Sequence, residues 1–344
     1  MTADPDTGTP ANTGTGTPAK TSPASGPAAL VSALSGQARA AAHPRVHPRT
    51  PAVACACADA LLADRPDTTV VRHADAVAKA HAPDTDPAAL ALRVAAAARL
   101  PDVFLPPLTP APAVLRDRPV TLWPYGAPVD PDDPDAAPWE AAGTLLARLH
   151  RAPVPPGLPP MRGPAKAAHA LDRLRSARRT APHAPARAAA EPVLAAWAAL
   201  PAWARASAPM PGPAALCHGD LHLGQLVRHP LPGGPWKLID VDDLGAGVPA
   251  WDLARPAAWY ACGLLPPDEW ARFLAAYRRA GGPAVPADGD PWPALDVPAR
   301  ALTAQTAARA ITKALAADRP LDEVERAVVD ACARMPAVPP SRTP

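Results

Sequence analysis

Proline occupies 52 of 344 positions. Each one fixes φ near −65° and removes a main-chain donor, so long regular elements are hard to sustain. The chain is predicted to be short elements joined by stiff connections, with helix favoured where alanine dominates. The length suits two lobes or modest domains. With 34 Lys+Arg against 32 Asp+Glu the net charge is +2, which disfavours nucleic acid as the main partner. No run approaches the ~20 apolar residues of a membrane span. The first residues lack the basic-then-apolar order of a secretion signal. A cytoplasmic protein is expected. Five cysteines, none in a C-x-x-C, make a disulfide framework or structural zinc site an unfavoured reading.

Residues 1–28 are Thr, Pro, Ala, Gly and Ser without apolar periodicity and read as a disordered tail, as do 335–344. Residues 29–124 read as a small β-rich lobe with one helix. There, Thr68–His81 has the alternation of a hairpin, with Ala74 in the turn where glycine would be easier. Asp86-Pro87 opens a helix over 88–100 with Asp86 as N-cap. Short apolar segments follow at 103–105 and 120–123. Residues 125–334 read as mostly helical, with helices over 138–150, 165–180, 188–206, 249–263, 267–280, 294–317 and 320–334. Only 214–240 interrupts them, with strands at 225–227 and 236–239 around Pro232-Gly233-Gly234.

That interruption carries the chemistry. It reads Leu216-Cys217-His218-Gly219-Asp220-Leu221-His222-Leu223-Gly224-Gln225, then Leu238-Ile239-Asp240-Val241-Asp242-Asp243. A hairpin between them returns the chain on itself, so Asp220, Gln225 and Asp240 can face one point. Two carboxylates and an amide carbonyl are hard oxygen donors of the kind that suit Mg²⁺ holding phosphates. One carboxylate can instead accept a proton from an attacking hydroxyl. Any one of these acids alone reads more simply as a loop residue; their ordered combination favours a site.

HGDLHLGQ, then LIDVDD and GVPAWDLA (247–254), resembles the aminoglycoside phosphotransferase family, whose fold is protein-kinase-like and α+β. The resemblance implies a β-rich N-lobe, a hinge, and a helical C-lobe. It implies an enzyme that moves the γ-phosphate of ATP or GTP to a hydroxyl of an aminoglycoside, sugar or related metabolite, with Mg²⁺. Asp220 matches the catalytic aspartate and Asp240 the strand-end aspartate on Mg²⁺. Gln225 falls where most members place a metal-binding asparagine. His218 matches a loop-bracing histidine, His222 a residue near the transferred phosphate, and Asp252 a structural brace. Lys79 is the candidate for the nucleotide phosphates, the alternative being a surface lysine on an edge strand; Trp123 and Tyr125 fall in the hinge that contacts adenine, with Trp123 reading equally as plain core.

Departures are visible as well. The helix after Lys79 has no glutamate to pair with it, leaving Asp84 or Asp86 as substitutes. No glycine-rich phosphate loop is present, and Val248 replaces an aspartate common in the family. These gaps support an alternative, a nucleotide-binding pseudokinase scaffold; retention of both Asp220 and Asp240 counts against it. For the acceptor, Asp242, Asp243, Asp268 and Glu269 are candidate acids, offset by Arg255, Arg272, Arg278 and Arg279.

Overall fold

The computed structural model describes residues 27–43, 55–180 and 184–335. Its N-terminal part is an antiparallel sheet ordered β1-β2-β3-β5-β4, built from Asp59–Arg65 (β1), Thr68–His73 (β2), Ala76–Ala80 (β3), Ala113–Leu115 (β4) and Arg118–Pro124 (β5). Alternation in TTVVRH and AVAKA places one face in the core and the other outward. Val71, Ala78, Ala80 and Val120 pack on Leu34 and Ala38 of helix α1 (Pro27–Ala42). The sheet region therefore carries two helices rather than one, since α2 (Pro87–Ala98) follows β3. An alanine-rich run with a weak apolar face gave α1 little signal before its partner strands were known. The β2–β3 turn has Ala74 at φ 51°, a left-handed position where glycine would cost less.

The strand β6 (Ala127–Pro128) joins β8 (Leu226–Arg228) and β9 (Trp236–Leu238), while β7 (Ala215–Cys217) pairs with β10 (Gly245–Gly247). Around them lie α3 (Trp139–Arg151), α4 (Gly163–Thr180), α5 (Ala184–Ala198), α6 (Ala250–Ala261), α7 (Pro267–Arg279), α8 (Trp292–Ala316) and α9 (Glu323–Arg334). Leu145, Leu146 and Leu149 of α3 are buried, and α3 meets α7 so closely that a Cβ at Gly143 would lie 2.4 Å from the Phe273 carbonyl oxygen. The helix expected over 188–206 stops at Ala198, with turns beyond it, shortly before Pro201. Proline does not end every helix. Pro192, Pro256 and Pro298 lie inside α5, α6 and α8, and α8 runs 25 residues with its buried alanines at the centre of the helical region.

The tail reading at 1–28 lies outside the described residues except for Pro27 and Ala28, which begin α1; of the reading at 335–344, only Met335 lies within them. Among the described residues no helix is long and apolar enough to cross a membrane.

Candidate active site

Lys79 leaves β3 from a half-buried position and reaches across to the segment after β9, 161 residues away. Its Nζ lies 2.8 Å from Asp240 Oδ1 and 3.0 Å from Asp242 Oδ2. Burial disfavours the ammonium, but the two carboxylates outweigh that and push its pKa well above the ordinary lysine value. Asp242 in turn lies 2.9 Å from His81 Nδ1. Burial acts to raise its pKa, yet Lys79 and His81 hold it far below the usual carboxylate range. Neither Asp84 nor Asp86 is the partner of Lys79. Asp86 is occupied in capping α2, accepting from the N–H of Ala88 and Ala89. Helix α2 instead sends Arg93 inward, where its Nε donates to the Leu244 carbonyl at 2.9 Å.

Gln225 and Asp240 come together through their neighbours' main chains, because the Ile239 N–H donates to the Gln225 carbonyl at 2.9 Å. Gln225 ends a short 3₁₀ turn instead of opening the strand. His222 caps that turn, its Nδ1 accepting from the Gly224 N–H at 3.1 Å. The Gln225 amide donates to Asp240 Oδ2 at 3.3 Å. Asp240 sits at φ 65°, a left-handed conformation costing a non-glycine residue about 1–3 kcal/mol and met chiefly where surrounding contacts impose it.

Asp220 is held by two cations. Lys166 Nζ from α4 lies 2.7 Å from Oδ2, and Arg255 Nη2 from α6 lies 2.6 Å from Oδ1. Its partial burial favours the neutral acid, but those cations keep its pKa far below the usual range. Lys166 also reaches Asp243 Oδ2 at 2.6 Å. Burial wins there, and the Asp243 carboxyl is pushed up despite the lysine. His222 is pushed down to about 4, mainly by burial, with Arg255 and His218 adding to it and Asp220 opposing, so it is neutral at pH 7.

The loop carrying Asp220 is braced from below. Asp252, wholly buried near the start of α6, accepts from the main-chain N–H of His218 at 2.6 Å and of Gly219 at 2.7 Å. The His218 ring donates from Nε2 to the Ile239 carbonyl at 2.9 Å, tying this loop to the chain just before Asp240. Behind Asp252 runs a buried relay. The Tyr277 hydroxyl accepts from the Ala284 N–H and donates to His150 Nδ1, leaving His150 Nε2–H to donate to Asp252 Oδ2 at 3.0 Å. Gly219 is required at φ 86°, where a Cβ would stand 2.5 Å from the Asp243 carbonyl oxygen.

Of the hinge residues, Trp123 lies on β5 and connects to this cluster through Thr121, whose Oγ1 is 2.8 Å from His81 Nε2, while Tyr125 follows the strand. Trp123 is buried in the core with its indole N–H on Thr121 Oγ1 at 2.8 Å. Tyr125 has its main-chain N–H on the Asp75 carbonyl and its own carbonyl 3.1 Å from His229 Nδ1. The Arg72 guanidinium covers its ring at 3.4 Å. Both residues fasten the connection between the two regions, and the main-chain groups of Tyr125 are already engaged.

Lys166, Arg93, His150 and Tyr277 were not singled out from the sequence. Only Lys166 left a trace, as one of five lysines in a chain that otherwise uses arginine. The acids considered for an acceptor are largely committed: Asp242 to Lys79, Asp243 to Lys166, and Glu269 to the Trp139 indole N–H.

Residues 60–295 match the model of the phosphotransferase enzyme family. The chain belongs to that family. Its members' reaction class, phosphoryl transfer to a hydroxyl group, fits the lysine and carboxylates just described. Similar solved structures share the kinase-like fold. A choline/ethanolamine kinase family protein from Mesorhizobium loti is 20% identical with a TM-score of 0.53, covering 88% of this chain and 94% of its own. A thermostable mutant of an aminoglycoside phosphotransferase is 13% identical, TM-score 0.53, covering 81% and 95%. A spectinomycin phosphotransferase in complex with ADP and spectinomycin is 12% identical, TM-score 0.51, covering 81% and 88%. No curated protein matches the chain in sequence.

Proposed function

We propose that this phosphotransferase moves the γ-phosphate of ATP or GTP to a hydroxyl of a small hydroxylated metabolite. The observation that carries the reading is Lys79 bridging to Asp240 beside Gln225, while Asp220 is fixed by Lys166 and Arg255 on the neighbouring loop. In this reading Asp220 orients the acceptor hydroxyl and takes its proton as the oxygen attacks the γ-phosphorus. The bond to the β–γ bridging oxygen breaks, and the nucleoside diphosphate leaves with that electron pair. Lys79 neutralises phosphate charge, held extended by Asp242 when Asp240 is engaged elsewhere. His222, neutral at pH 7, can donate a hydrogen bond without competing as a cation.

The donor chemistry at Asp240 suits Mg²⁺. Its carboxylate already faces a cation, and half a turn of the Gln225 amide presents a carbonyl oxygen beside it. Asp240 and Gln225 would hold the ion, which when bound neutralises charge developing on the phosphates. Asp220 pairs each oxygen with one cation and keeps a second lone pair on each, so it is left off the metal as the proton acceptor.

For the acceptor, an uncharged polyol or a singly charged amino alcohol suits the site better than a polycation. Asp242 and Asp243 are already neutralised by lysines, so little free negative charge remains to hold several ammonium groups. The solved relative with spectinomycin keeps an aminoglycoside-like acceptor within the class. A panel of sugars, amino alcohols and aminoglycosides, assayed with ATP and GTP with Mg²⁺ or excess chelator, is expected to give acceptor-dependent diphosphate release only with the metal. Lys79→Ala is expected to raise the nucleotide KM and lower kcat. Nucleotide binding with no acceptor-dependent turnover anywhere in the panel would favour the scaffold alternative.

A further inference from the structure

The end of α1, the segment before β1 and the end of β2 place four soft or borderline donors together. His43, Cys55, Cys57 and His73 offer ligand atoms that all lie within 4.8 Å of one another. We propose that these four residues form a structural zinc site, separate from the phosphotransfer centre, that clips α1 to the N-terminal sheet.

Two imidazoles and two thiols are a donor set that zinc takes in tetrahedral sites closed to substrate. Bonds of about 2.3 Å to sulfur and 2.0–2.1 Å to nitrogen give ligand–ligand edges of about 3.3–3.8 Å, so small rotamer changes close the cluster. Cys55 Sγ lies 3.1 Å from His73 Nε2, drawn a few tenths of an ångström inside such an edge by a thiol–imidazole hydrogen bond. His73 is buried, and its Nδ1–H donates to Asp59 Oδ1 at 2.6 Å. That bond fixes the tautomer, leaving the Nε2 lone pair directed at the cluster in the carboxylate–histidine arrangement common behind zinc. The Cys55 thiol proton now occupies the place a cation would take.

The second, independent sign is His43. Its Nε2 is shut off from solvent and lacks a hydrogen-bond partner among the described residues, an uncompensated cost that a metal bond removes. Its ring meets His73 edge-on at 5.4 Å between centroids. Cys57 is exposed, which leaves a path for the ion and for the two thiol protons it displaces to solvent. The C-x-C spacing hid the site in the sequence, because its histidines come from α1 and β2. Without a cross-link, α1 rests on the sheet through Leu34 and Ala38, flanked by Leu30 and Val31, and through contacts of Ser35 and Arg39 with Asp59.

The test uses the full chain purified under reducing conditions with zinc supplied, desalted, and analysed for metal. One tightly held zinc per chain is expected, lost in the Cys55→Ser/Cys57→Ser double variant and kept in Cys262→Ser. Asp59→Asn is expected to weaken zinc about 10–100-fold. Because the double variant can lose zinc by misfolding, cobalt(II) is also added to the metal-free wild-type chain. Tetrahedral ligand-field absorption with a thiolate charge-transfer band is expected. Substoichiometric zinc in the wild type, unchanged zinc in the double variant, absence of the thiolate band, or a Cys55–Cys57 disulfide in place of metal would each overturn the proposal.

Discussion

Asp220→Asn is expected to lower kcat about 10²–10⁴-fold, the range supplied by a positioned general base, while leaving the nucleotide KM close to wild type. The substitution keeps shape and removes the negative charge that Lys166 and Arg255 converge on at 2.7 and 2.6 Å. Two cations then face a neutral amide, and the acceptor hydroxyl loses both its orienting partner and its proton acceptor. The nucleotide contacts assigned to Lys79 and Asp240 lie elsewhere, so the loss should appear in turnover. Steady-state kinetics with the best acceptor checks this; wild-type kcat in the variant would remove Asp220 from the mechanism.

Asp252→Ala is expected to cost about 3–5 kcal/mol of stability, and activity with it, although Asp252 touches no reacting group. Its carboxylate is the acceptor for two buried main-chain N–H groups and for His150 Nε2. Leaving a buried donor unpaired costs about 1–3 kcal/mol each, and the wholly buried Asp252 position has no contact with bulk water. With His218 and Gly219 unbraced, Asp220 loses its position. Asp252→Asn should be milder, since one carbonyl acceptor survives, but its amide N–H₂ then faces an N–H donor. Urea midpoints at unchanged m-value read the loss; a wild-type midpoint for Asp252→Ala would contradict the bracing role.

The candidate site's segment was legible because its information is local. Asp220, Gln225 and Asp240 lie on one short stretch whose hairpin turn is written in Pro232-Gly233-Gly234, and Asp252 follows twelve residues after Asp240. The helix at 138–150 was legible for the same reason, its leucines repeating on one face. What escaped depends on distant partners. Helix α1 shows little amphipathic pattern, and only packing on Val71 and Val120 makes it an element of the core. The Lys79 counter-charge was sought on the following helix, where kinases keep a glutamate. Here the partners are Asp240 and Asp242 from the segment after β9, and α2 offers Arg93 to a carbonyl instead. His150 and Tyr277 read as ordinary core positions until Asp252 joins them.

Calorimetric titration of nucleotide with Mg²⁺ and again with excess chelator, on wild type, Asp240→Asn and Asp220→Asn, tests the division of labour between the two carboxylates most directly. The expected result is a Mg²⁺-dependent gain in nucleotide affinity that Asp240→Asn abolishes and Asp220→Asn keeps. A full gain surviving in Asp240→Asn, or an equal loss in both variants, would contradict it.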